Sequence, residues 1–197
     1  TETEAETETE ETENSEEVTE ETETENVDED DIFAQLAEES FMFTSGAGAW
    51  ATSITLNRDG SFEGSYHDSD MGFIGEGYPH GTVYICKFSG AFDNIQQIDD
   101  NTYAMTLKEI TTESTESKEW ITDGVRYIAS EPYGLESGKE FLFYTPQTSV
   151  KNLTEEFIGW GYGSVGLDSS QKTLDCYGLY NKGMGYGFFS SESSPEN

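Results

Sequence analysis

The sequence predicts an all-β domain, an antiparallel barrel of about eight short strands with one or two short helices, preceded by a disordered acidic tether. Three observations predict it. Residues 1–31 hold seventeen Asp or Glu and no Lys or Arg. From Phe41 onward, apolar residues recur at every second position in short runs separated by turn-forming clusters. Glycines, 20 in all, gather around 46–48, 72–81, 159–166 and 178–187, where they suit the corners and bulges of a closing sheet.

The leader is an irregular Thr-Glu alternation from Thr1 to Glu25, and Ala5, Val18 and Val27 are almost its only apolar residues. No burial there offsets a backbone ordering cost of about 1 to 2 kcal/mol per residue, so residues 1–30 read as a disordered spacer. A coil of about 40 residues has an r.m.s. reach of roughly 35 Å. Its extended limit is on the order of 130 Å, and charge repulsion favours the longer value. The chain starts at Thr1 rather than Met, which reads as the mark of a removed export signal that ended in a lipid-modified cysteine. The spacer would then hold the domain away from a membrane anchor, on the extracellular side.

The formal net charge is −32. Nineteen of the 41 acids lie in residues 1–40, which leaves 22 against all nine bases in residues 41–197. The domain is thus acidic in its own right. With no basic cluster to meet phosphate, nucleic acid is excluded as a partner and anionic lipid is disfavoured. No run approaches 18 apolar residues, so membrane association would depend on a lipid anchor absent from this chain. Residues 31–190 form one domain of ordinary size, read as a monomer, and residues 191–197 form a disordered tail.

Element by element, Asp28 to Asp31 precede Ile32-Phe33-Ala34-Gln35-Leu36-Ala37, with Phe33, Leu36 and Ala37 on one face. Acids at the first turn favour a short helix, which would plug one end of the domain. Trp50, Thr52, Ile54 and Leu56 alternate with Ala51, Ser53, Thr55 and Asn57, and the Asn57-Arg58-Asp59-Gly60 turn returns the chain through Phe62, Gly64 and Tyr66. That is a β-hairpin. Strands follow at 82–92 and 102–110, divided by Asp99-Asp100-Asn101, then at 120–128 with a turn at Asp123-Gly124. Further strands are predicted at 139–144, 173–180 and 184–189. Residues 153–160 suit one or two helical turns opened by Thr154-Glu155-Glu156, and the glycine-rich 159–166 stretch reads as a loop.

A preceding short helix, Gly48 two residues before Trp50 at the start of the first long strand, and a last strand able to pair with the first make the barrel lipocalin-like (calycin). The runs Ser45-Gly-Ala-Gly-Ala-Trp50, Asp59 to Gly72 and Gly77 to Tyr84 resemble a family of secreted lipoproteins from Gram-positive gut bacteria. The likeness continues through Asp123 to Ile128 and Pro132 to Leu135, so it covers most of residues 41–189. It implies an exported, lipid-anchored protein with a lipocalin-like domain. It carries over no activity and no catalytic residue.

Both histidines sit in the densest polar run, Tyr66-His67-Asp68-Ser69-Asp70-Met71-Gly72, then Glu76 and Tyr78-Pro79-His80. His67, Asp68, Asp70 and His80 are therefore the candidate metal ligands, with calcium ahead of zinc. Against that, glycine occupies the fifth-ligand position of a calcium loop, and a glycine-rich connection whose Asp and His side chains cap turns is the plainer reading. No resident cofactor is expected. Nucleophilic catalysis would have only these two histidines as bases, and Gly163-Ser164-Val165-Gly166 lacks the nucleophile-elbow spacing, so the chain reads as a non-enzyme. Cys86 and Cys176, the only cysteines, either form a disulfide across about 90 residues or stand as buried thiols.

With 12 Phe, 11 Tyr and 3 Trp, aromatics are the second signal. Trp50, Tyr66, Tyr84, Tyr103 and Tyr144 fall near strand centres and could line a ligand cavity, while Trp160 and Tyr162 could stack on a sugar or partner. The alternative is that rings fill the lumen, since an eight-stranded barrel is narrow enough to be packed by its own side chains. Two functions follow. One is a cell-surface module capturing a small apolar or aromatic-stackable ligand in the barrel. The other is a protein or glycan interaction domain with a filled barrel and an exposed recognition loop.

Overall fold

A computed structural model describes residues 29–37, 39–113 and 118–190. The 191–197 tail and nearly all of the predicted 1–30 spacer lie outside the described residues. Helix α1 (Glu29–Leu36) leads into β1 (Ser40–Thr44), β2 (Trp50–Leu56), β3 (Ser61–Asp70), β4 (Thr82–Asp99) and β5 (Thr102–Thr112). A hairpin, β6 (Glu119–Thr122) and β7 (Val125–Ala129), precedes β8 (Glu140–Tyr144), helix α2 (Glu155–Val165), β9 (Gly178–Asn181) and β10 (Tyr186–Ser190).

Eight strands close a lipocalin-like antiparallel barrel in the order β1-β2-β3-β4-β5-β8-β9-β10, and Phe41 of β1 lies opposite Ser190 of β10. Each joins its neighbour in sequence except where the hairpin and α2 intervene. The Asn57–Gly60 turn closes as predicted: Asp59 accepts from the Ser61 amide at 3.0 Å, and Gly60 takes the positive φ of 78° that an L side chain resists.

The 120–128 prediction holds for secondary structure but not for placement. The hairpin stands outside the barrel ring. β4 is 18 residues long, and its edge facing away from β3 is shared: Phe88 to Asp99 pair with β5, while Thr82–Ile85 take β7 in parallel. Register shifts at Ala91/Phe92 and Asp93/Gln96, with Asn94 at φ 52°, bend β4 so that one strand serves both partners. β6 alternates no buried residue inward, so it has nothing to contribute to a closed wall. The 173–180 strand is also shorter than predicted, reduced to β9 and a lone bridge between Thr173 and Ser149.

The core divides in two. Inside the barrel lie Phe41, Phe43, Ile54, Leu56, Phe62, Phe88, Phe92, Met105, Phe141 and Phe188, with Ile32, Phe33 and Leu36 of α1 inserted at one end. Outside it, Tyr144, Leu153, Phe157, Leu167, Tyr180 and Phe189 bury the inner face of α2. Thr154 caps α2 by accepting from the Phe157 amide at 3.2 Å, and Gly166 ends it in the left-handed region at φ 70°. The helix therefore runs to Val165, through the stretch that reads as a loop in sequence.

Candidate functional site

The lumen is occupied by the chain's own side chains. Phe41, Phe43, Ile54, Leu56, Phe62, Phe141 and Phe188 are each at most 1% exposed. Ring centroids lie 5.1 Å apart for Phe62–Phe92, Phe92–Phe141 and Phe43–Phe188, which is direct aromatic packing. α1 covers one end. Over the other runs a strap, residues 130–138, tied by Thr52 Oγ1 to the Tyr133 carbonyl at 2.6 Å and by the buried Asn181 amide to the carbonyls of Gly134 and Ser137. Leu135 of the strap is itself buried.

Three of the predicted aromatic residues meet beneath that strap. Trp50 packs on Phe43 at 4.9 Å and on Tyr133 at 5.2 Å, Tyr66 lies 5.7 Å from Tyr133, and Trp160 reaches Phe43 at 4.8 Å. Trp160 Nε1 donates to the Gly185 carbonyl at 3.0 Å, which fixes its ring. Tyr133 and Tyr186 complete the group, and sequence reasoning missed both: Tyr133 lies in the strap outside any strand, and Tyr186 opens β10 between two glycines. Burial, with a hydrogen bond between the two phenols, pushes Tyr133 up to about 12, and burial followed by Asp68 raises Tyr66. These phenols therefore stay protonated and serve as packing and hydrogen-bonding groups.

The remaining aromatic candidates scatter. Tyr84 is half-buried in β4, opposite Asp68 of β3. Tyr103 sits at the α1 end, across from Phe143 in β8. Tyr144 faces away from the lumen and packs on Phe157 of α2 at 5.1 Å, because it follows Phe143 in the strand and so points to the other side.

The metal candidates do not converge. His67 and Asp68 are consecutive in β3 and project to opposite faces. Asp70 Oδ1 accepts from the amides of Gly72 and Phe73 at 2.9 and 3.0 Å, and His80 Nδ1 lies 3.0 Å from the Asp123 carbonyl. Both are turn fasteners. Among the described residues, no three His, Cys, Asp or Glu side chains gather as a metal site requires. Of the two readings open for the cysteines, the structure takes the one without a disulfide: Cys86 and Cys176 are not bonded to each other. Cys86 lies in the barrel core and Cys176 against the outer cluster, so the barrel wall separates them. Burial, with Glu131 and Glu113 nearby, pushes the Cys86 thiol up to about 11.

The candidate recognition surface lies at the loop joining β3 to β4. Met71, Phe73, Ile74 and, from β6, Ile121 are 66%, 45%, 57% and 48% exposed. The loop that presents them is fastened throughout. Besides Asp70, Thr82 Oγ1 donates to the Phe73 carbonyl at 2.8 Å, and the His80 amide donates to the Gly124 carbonyl at 2.9 Å. Arg126 of β7 forks onto Glu119 with two bonds of 2.8 Å, and its guanidinium lies 5.4 Å from the Phe73 ring and 5.5 Å from the Tyr78 ring. The ion pair holds Glu119 below the usual carboxylate range, chiefly through the hydrogen bond from Arg126. The sequence signal for this patch was an apolar trio inside a glycine-rich polar run.

Two of the hollows on the outside of the barrel adjoin its long strand β4 and its helix α1. One of about 460 Å³ opens where β5 and β7 part along β4, lined by Lys87, Glu113, Lys118, Trp120 and Glu131. The other, of about 310 Å³, lies beside α1. No family model, no curated protein and no solved structure matches this chain.

Proposed function

We propose that this protein is a non-enzymatic binding module, displayed on the outer face of the cell membrane by its acidic tether, that recognises a protein partner through the 71–81 loop and the β6–β7 hairpin. The observation that carries the reading is the rigid apolar patch of Met71, Phe73, Ile74 and Ile121 above a barrel whose lumen is filled. Soluble domains rarely expose several large apolar side chains side by side, and a fastened loop loses little conformational freedom on binding. Asp68 and Asp70 at the end of β3, Glu76 of the loop and Asp123 of the hairpin lie around the patch, and Arg126 is committed to Glu119. The partner that suits such a surface has an apolar anchor flanked by Lys or Arg. Capture of a small ligand in the lumen is the weaker reading, since it would require displacing Phe side chains worth about 3 to 5 kcal/mol each.

The absence of catalysis in this reading rests on the pattern of shifted groups. Among the described residues the raised groups are the half-buried phenols Tyr66 and Tyr133, the buried Tyr144 and Cys86, and the paired Arg126, whereas Asp59, Glu119 and Asp168 are lowered by hydrogen bonds from Ser61, Arg126 and Ser170. An acid catalyst is normally a carboxylate raised by its surroundings. Placement at the cell surface is supported by the length and charge of residues 1–28 and by the resemblance to secreted lipoproteins.

The test is a photo-crosslinking residue at position 74 of the full-length protein, in the cells that make it. The expected product is one discrete adduct, lost in Phe73→Asp and weakened by raised salt. Labelling no different from that of a crosslinker at Ser53, on the outer barrel wall, would exclude the loop as the recognition surface.

A further inference from the structure

The hollow beside α1 differs in chemistry from the rest of this molecule. Its lining is Ile32, Gln35 and Leu36 of α1, Tyr103 of β5, Phe143 of β8, Thr145 to Gln147 after that strand, and Tyr177 before β9. None of these is charged, in a chain whose net charge is −32. The fork hollow, by contrast, carries two Lys and two Glu, a third on the outer wall of β2 to β4 carries Glu63, Lys87 and Glu113, and a fourth carries Asp99 and Asp100.

One wall is aromatic. Phe143 and Tyr177 stack at 5.7 Å with 21° between their planes, and Tyr103 lies 5.9 Å from Phe143. The facing wall is the aliphatic edge of Ile32 and Leu36, both buried, and Gln35 and Gln147 stand exposed at the rim as uncharged amides. A volume of about 310 Å³ lies at the lower end of small-molecule sites. Asp99 and Asp100 line the neighbouring hollow, which shares Gln147. Their charge repels an anion from this rim.

We infer that this groove is a binding site for an uncharged, planar aromatic small molecule, held edgewise between α1 and the Tyr103-Phe143-Tyr177 wall with its polar end at Gln35 and Gln147. Tyr177, the half-buried ring of the three, supplies the accessible stacking face, the buried Tyr103, Phe143, Ile32 and Leu36 form the apolar floor, and the amides offer a donor and an acceptor at the open end. α1 forms half of the site, so occupancy ties the helix to the barrel. The site lies outside the filled lumen and away from the 71–81 loop, and it stands or falls separately from the partner surface proposed there.

The probe is N-phenyl-1-naphthylamine, an uncharged fluorophore, titrated into the full-length protein beside its sulfonated relative 1-anilinonaphthalene-8-sulfonate. Saturable binding at one site is expected, with the sulfonate about tenfold weaker or more. Gln35→Trp fills the groove from an exposed position, so it should weaken binding by about tenfold while leaving the unfolding temperature unchanged. Ser65→Trp, in the charged hollow of the barrel wall, and Ile74→Asp, in the apolar loop, should bind as the parent does. Equal binding of the sulfonate, undiminished binding by Gln35→Trp, no saturable signal, or loss of the signal in Ile74→Asp would each overturn the assignment.

Discussion

Arg126 illustrates how much one side chain can organise. Its fork on Glu119 ties β6 to β7, and the same guanidinium supports the Phe73 and Tyr78 rings, so hairpin and loop are held as one surface. Tyr144 is the opposite case, a residue whose ordinary place in a strand conceals a role in stability. It is 2% exposed against Phe157 and Tyr180, and burial, then the charges of Tyr180 and Asp99, push it up to about 12. The folded pKa is raised above the unfolded value of about 10, so the folded state disfavours the phenolate. The corresponding stability is complete below pH 10 and is lost as pH rises through 12. After allowance for solvent screening the loss attributable to this group is on the order of 1 to 2 kcal/mol. Urea unfolding between pH 9 and pH 12 should show it, and Tyr144→Phe should flatten the decline. An equally steep decline in the variant would assign the effect elsewhere.

Helix α2 shows the same tension on the scale of an element. Gly159, Gly161 and Gly163 make its sequence read as a loop, since each costs a helix about 1 kcal/mol relative to Ala. Two of the three sit where the helix meets the barrel. A Cβ at Gly161 would come within 2.7 Å of Leu167, and one at Gly163 within 2.9 Å of the Ser45 carbonyl, whereas Gly159 faces open space. Position should therefore decide the sign of a substitution. Gly159→Ala is expected to stabilise by up to about 1 kcal/mol, and Gly163→Ala to destabilise by about 1 to 2 kcal/mol despite its better helix propensity. Denaturant midpoints at equal slope would measure both. If the two shifts share a sign, close backbone packing is not what keeps glycine at 163.

At the scale of the whole molecule, what could be read from sequence was what is local. The alternation from Trp50 to Leu56 and the Asn57–Gly60 turn contain their own structural instruction, and so does the acid-led run that becomes α1. What stayed hidden depends on distant partners: the length of α2 on Ser45, the place of β7 on the near half of β4, the gathering of Trp50 and Tyr66 on the intervening Tyr133, and the contact of Trp160 with Tyr186. The cysteines show this most plainly, because two strand-like settings 90 positions apart allow either a bond or a separation until the wall between them is known. That wall yields a test of global stability. Cys86 is 6% exposed and its thiol is pushed up to about 11, so at pH 8 only about one molecule in a thousand would carry the thiolate. Cys86 also edges the fork hollow, but with so little of it exposed a thiol reagent should react freely only when the wall along β4 opens. In Cys176→Ser, where Cys86 is the sole cysteine, labelling should be slow and should accelerate with urea in step with global unfolding. Reductant should leave the unfolding temperature of the parent unchanged. Rapid labelling in native buffer would mean that the barrel opens locally along β4, and a fall in unfolding temperature under reductant would mean that the two cysteines are bonded after all.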